Sequence, residues 1–162
     1  MRKLALLVCL VVGQLCFSQQ INYDINKKSS LTMDNEVVPY VEEFLQAAEK
    51  RGFYLRFYLM ERVDYIVFHD SIGTQKGDDR LGVVGKNMRG FYLTPRLKGN
   101  PIKLRVTIYH EIGHIIKKSG IHTCEYCYDI MSQFAPADLK PYMNDKFWNL
   151  KVDEYFTWLN SP

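Results

Sequence analysis

The stretch from Ile102 to Gly120, IKLRVTIYHEIGHIIKKSG, decides how this chain is read. Leu104, Ile108, Ile112 and Ile115 recur every three or four residues and form one stripe. That spacing predicts an amphipathic helix from about Ile102 to Lys118, which Gly120 can close in a left-handed cap. Inside it, His110, Glu111 and His114 make the pattern H-E-x-x-H. Histidines four residues apart share one helical face, so their rings can converge on one ion at the ~2.0–2.1 Å that zinc prefers. Glu111 then stands beside the ion without binding it, able to take a proton from water on the metal. Chance supplies roughly 0.004 such matches in a chain of this length. Three of the four histidines (110, 114 and 122) also crowd into this region, and the pattern reads as a metal site.

A catalytic zinc takes three protein ligands and keeps one position open. His122 leads as the third, just after Gly120 turns the chain back. Asp129 is next, followed by Glu125, Cys124 and Cys127, all of ligand type and within reach, while Glu154 is a remote carboxylate alternative. His69 sits in a strand region and reads as a structural or surface histidine.

Working outward, Val37, Val41, Phe44, Leu45 and Ala48 predict a helix over 36–51, with Asp34 or Asn35 as N-cap, Pro39 in the first turn and Gly52 at the end. Residues 19–34 read as a loose lead-in. Phe53–Met60 and Tyr65–Phe68, rich in aromatic and β-branched residues, read as strands. Five glycines lie between 72 and 90, with short strands expected at Leu81–Val84 and Gly90–Thr94. A last helix, capped by Asn144, carries Trp148, Val152, Tyr155, Phe156 and Leu159. The expected class is α+β.

The chain has 162 residues, 47% of them hydrophobic and 24% charged, enough for one core in a single domain. Residues 1–18 have the grammar of a signal peptide: Arg2 and Lys3, an apolar run from Leu4 to Val12, and a small-residue exit at Ser18. The expectation is export to the periplasm or the medium, with residues 19–162 as the mature domain. Without the leader the charge is (21 − 2) − 18 = +1, which gives no electrostatic footprint for nucleic acid or an anionic membrane. No later segment is apolar enough for stable membrane insertion. Only Cys124 and Cys127 then remain, and an oxidising compartment favours a short disulfide between them. Nothing in the sequence sets an oligomeric state.

The run from His110 to Ser132, HEIGHIIKKSGIHTCEYCYDIMS, resembles the metzincin clan of zinc peptidases. The resemblance implies His110, His114 and His122 as ligands, Glu111 as general base and Met131 as the methionine of the turn beneath the metal. It also implies a metzincin-like zincin domain: a small mixed sheet, an active-site helix, that turn and a closing C-terminal helix. Two cysteines between the last histidine and Met131 resemble the archaemetzincins. Those use four cysteines for a second zinc, so one catalytic ion is expected here, and Gln133 stands where some metzincins carry a tyrosine. Gly120 lies six residues and His122 eight residues after His114, where the clan has three and six. The expected function is an exported zinc metalloendopeptidase acting on peptide or protein substrates, which pair with an edge strand near Leu81–Asn87. The alternative is a catalytically silent exported metal- or peptide-binding module.

Overall fold

A computed structural model of the chain describes residues 31–73, 79–123, 129–132 and 138–162. The expected leader, and Cys124, Glu125, Cys127 and Gln133, lie outside the described residues. Within them the chain is a small mixed α/β fold of four α-helices and one four-stranded sheet. In chain order these are β1 (Thr32–Met33), α1 (Val38–Glu49), α2 (Leu55–Arg62), β2 (Tyr65–Phe68), β3 (Gly82–Val84), β4 (Gly90–Leu93), α3 (Pro101–Lys117) and α4 (Asp145–Leu159).

The sheet order is β1-β2-β4-β3. β1, β2 and β4 run parallel, and β3 returns antiparallel to β4 as an edge. The chain between β1 and β2 passes through α1 and α2, the long crossover that a parallel pair requires. One sheet face, with Ile66, Phe91 and Leu93, is buried. Val41, Phe44, Leu45 and Ala48 of α1, the Leu104–Ile108–Ile112–Ile115 stripe of α3, and Val152, Tyr155 and Phe156 of α4 are buried with it in one core. Phe44 sits at the junction of the helices, edge-on to Tyr109 at 5.0 Å and stacked on Phe156 at 5.6 Å.

Four expectations need correcting. The segment expected as a strand at 53–60 is helical from Leu55. Its aromatic richness masks a 3.6-residue period: Leu59 and Met60 are buried, Leu55 and Tyr58 pack on the core, and Tyr54 and Phe57 face outward. Packing overrides strand propensity, and Arg56 pins the helix to α1 by donating to both oxygens of Glu42 at 2.8 and 2.9 Å. The lead-in is ordered at its end, where Thr32 and Met33 pair with Tyr65 and Ile66. Neither Asp34 nor Asn35 caps α1, which starts after Val37 with no side-chain cap; the Asp34 carboxylate accepts from the Phe68 N–H at 2.7 Å and so ties β1 to β2.

Fourth, the left-handed turn that closes α3 comes two residues before the expected Gly120. Lys118 itself takes the left-handed conformation, φ +50°. At the other end Asn100, not foreseen as a cap, accepts from Lys103 N–H at 3.1 Å. The Asn144 cap of α4 is as expected, accepting from Phe147 N–H at 3.0 Å, and Gly52 closes α1 at φ +81°.

Because Phe44 is fully buried and touches rings from both α3 and α4, Phe44→Ala should cost about 3–5 kcal/mol in urea unfolding. A loss below about 1 kcal/mol would contradict this core, since large-to-small changes in a rigid interior leave a cavity.

Candidate metal centre

α3 carries the centre because its buried stripe fixes its rotation, so the positions between stripe residues point along the sheet. His110 and His114 stand one turn apart, and the chain returns through Lys118 to bring His122 beside them. The three rings lie with centroids 4.6–5.1 Å apart. Their nitrogens all fall within 4.8 Å of one another, close enough to bind a metal ion.

The hydrogen bonds behind the rings fix their chemistry. His110 Nδ1 faces the Ile130 carbonyl at 2.8 Å, and His114 Nδ1 faces the Ser119 carbonyl at 2.7 Å. A carbonyl can only accept, so each Nδ1 carries the proton. Burial, first of all, holds the pKa of His110 down to about 3 and lowers those of His114 and His122, so the rings are neutral. Each Nε2 therefore presents a lone pair, and those of His110 and His114 face each other at 2.9 Å. Two lone pairs with no proton between them repel, and a cation between them reverses the sign of that interaction. Zinc–nitrogen bonds of ~2.0–2.1 Å in a tetrahedron place the nitrogens about 3.3 Å apart, so a shift of a few tenths of an ångström suffices. The donor set fits a metal ion, and the carbonyls behind the imidazoles fix their tautomer and orientation.

The turn over 129–132 is the platform beneath the rings. Asp129 Oδ1 accepts from Met131 N–H at 3.0 Å and the Asp129 carbonyl from Ser132 N–H at 3.2 Å. Thr123 N–H donates to the Met131 carbonyl at 3.0 Å, joining the His122 segment to the platform. Asp129 thus shapes the turn and stands apart from the three-histidine group. Glu154 is also apart, on the exposed side of α4 with Lys151 at 2.6 Å. His69 lies at the end of β2 against Tyr92 and Ser71.

Met131 is fully buried, and its sulfur would lie 2.8 Å from a Cβ placed on Gly113, with Tyr155 Oη at 3.0 Å. The glycine inside the motif therefore exists for close approach. Tyr155 also donates to the Tyr109 carbonyl at 2.8 Å, holding the helix just before His110. Met131 was singled out in the sequence by resemblance; the close approach at Gly113, the Tyr155 bond, and the Ile130 and Ser119 carbonyls were not read from sequence. A glycine in a helix interior is a signal for such packing, whereas backbone carbonyls leave none.

Glu111 is 5% exposed, and no hydrogen bond or ion pair reaches its carboxyl group among the described residues. Burial raises its pKa from 4.5 to about 8. The metal-free protein should then respond to pH in two ways. The depressed His110 stabilises the fold above pH 6.5 and that contribution fades as pH falls toward 3. The raised Glu111 stabilises it below 4.5, and that contribution is lost as pH rises through 8. Glu111→Gln removes only the second effect. The melting-temperature difference, variant minus native, should therefore grow between pH 5 and pH 9 in chelator; a difference constant with pH would contradict a buried, unpartnered carboxyl.

No protein-family model, curated protein or solved structure matches this chain, so the reading of the centre rests on its own chemistry.

Proposed function

We propose that the chain is an exported zinc-dependent peptidase of metzincin type, with His110, His114 and His122 as ligands and Glu111 as general base. The observation that carries this reading is the pair of Nε2 lone pairs held face to face at 2.9 Å, one turn of helix around an acid that has no hydrogen-bond partner among the described residues. Three neutral imidazoles suit zinc among the available ions, and leave a fourth position open as catalytic sites do. A bound zinc ion supplies Lewis acidity, acidifying water and polarising a carbonyl.

The chain's own groups do the rest. Glu111 takes the proton of the attacking water and returns it to the leaving amine. Its low exposure keeps bulk water from competing for that proton. The turn with Met131 following the histidines resembles the methionine turn of the metzincins. The turn after the helix departs from theirs, because Lys118 makes it without glycine and lengthens the path to His122.

A substrate in extended form fits β3. The Leu81 carbonyl accepts from Thr94 N–H and Gly85 N–H donates to Gly90, so positions 81, 83 and 85 bond to β4. Antiparallel alternation then turns the N–H and C=O of Gly82 and Val84 outward to an open edge, available to a peptide strand.

Glu111→Gln should reduce cleavage of a mixed peptide pool by about 10²–10⁴-fold while zinc stoichiometry stays unchanged by elemental analysis; full activity in that variant rejects the assigned base. Val84→Pro removes one outward N–H and spares the bonds to β4, so it should raise KM with zinc retained, and native KM would count against strand addition. A zinc-loaded native chain inert to every peptide offered would favour the silent binding module.

A further inference from the structure

Gly82 lies where the edge strand crosses α3. Its N–H and C=O point out of the sheet edge, and its α-carbon faces the core side that Phe91 and Leu93 share. Directly beneath is the Glu111 side chain. A Cβ built on Gly82 would stand 2.5 Å from Glu111 Oε1 and 2.8 Å from both its Cδ and Cγ. Real Cβ atoms do not come that close, so the acid and the strand are in contact only because residue 82 has no side chain.

The backbone itself does not ask for glycine here. Among the described residues the left-handed glycines are Gly52, Gly73 and Gly99, and Gly82 is not one of them. Nor can the acid swing aside at its tip. Cγ is one bond from Cβ, so relief demands rotation about χ1, which a helix restricts to two wells. The carboxyl is also buried, with no solvent to swing into. Glu111 is thus bounded by the edge strand at Gly82, and at no other described glycine is it among the nearest neighbours of an added Cβ.

From this we infer that Gly82 is a positioning residue for Glu111: its bare α-carbon sets the carboxyl group at one height under the edge strand, beside the backbone groups that a bound peptide would use. The inference rests on the peptidase reading for its consequence, and on geometry alone for the contact. An extended peptide paired at Gly82 lies about 4.8 Å from that strand, so the same residue that registers the substrate also seats the base. An added methyl group would separate the two functions, leaving the outward N–H and C=O in place while displacing the acid.

The test is a double-mutant cycle on the full chain, with Gly82→Ala, Glu111→Ala and the pair, each read by thermal unfolding with and without zinc. It is joined to kcat and KM for Gly82→Ala on a peptide that the native chain cleaves. The general benefit of removing a glycine from the unfolded chain cancels around the cycle. Gly82→Ala should lower the melting temperature by about 2–8 °C when Glu111 is present and by much less when residue 111 is alanine, because the space is then free. Zinc content should remain at its native level, and kcat should fall by about 10²-fold with KM little changed. A role in strand pairing alone would raise KM instead. Equal melting losses in the two backgrounds, or a native kcat in Gly82→Ala, would overturn the proposal. A chain that cleaves no peptide but shows the non-additive cycle would retire the peptidase reading and keep the contact.

Discussion

Everything in the centre depends on two hydrogen bonds from imidazole to carbonyl. His110 and His114 each give the Nδ1 proton to a backbone oxygen, at 2.8 and 2.7 Å, which leaves two acceptor nitrogens confronting each other. Such an arrangement costs energy in the bare chain and is stabilised by a cation. The rest of the fold can be understood as the means of enforcing it. The platform at 129–132 presents the Ile130 carbonyl, the left-handed Lys118 presents that of Ser119, and the buried stripe of α3 prevents the helix from rotating away.

The supports are arranged so that no single side chain is left to hold a ring. Met131 fills the space under Gly113, and Tyr155 locks the carbonyl of Tyr109. Glu43 accepts from Tyr109 at 3.4 Å and from Trp148 at 3.1 Å, linking α1 and α4 to the residue before His110. Arg105 stacks its guanidinium over Trp148 at 4.0 Å, covering that link from the other side. The helix that carries His110 and His114 is thus clamped from three directions. Rotamer-locked ligands on rigid elements are what a catalytic geometry needs.

Much of this was legible in the sequence wherever it was periodic. The α3 and α4 stripes and the clustering of His110, His114 and His122 followed from spacing, and the short strands at β2, β3 and β4 from composition and the turn residues that bound them. What escaped was decided by partners remote in sequence. Leu55–Arg62 has the composition of a strand and becomes a helix because Glu42, on a different element, holds Arg56. Asp34 looks like a cap and is recruited by Phe68 instead. Lys118 adopts a conformation that its side chain disfavours, since ring and carbonyl there must meet, and the glycine two residues later gave the wrong site for the turn. The proximity of Gly82 to Glu111 likewise belongs to the packing of a strand on a helix, which no local pattern encodes.

The central claim is that three imidazoles grip one divalent ion. X-ray absorption at the zinc edge, on metal-free chain titrated to saturation with zinc, reads it most directly. The account predicts one ion per chain with three imidazole nitrogens at ~2.0–2.1 Å and one further light ligand. Absence of stoichiometric uptake, or a first shell with fewer than three imidazoles, would contradict it.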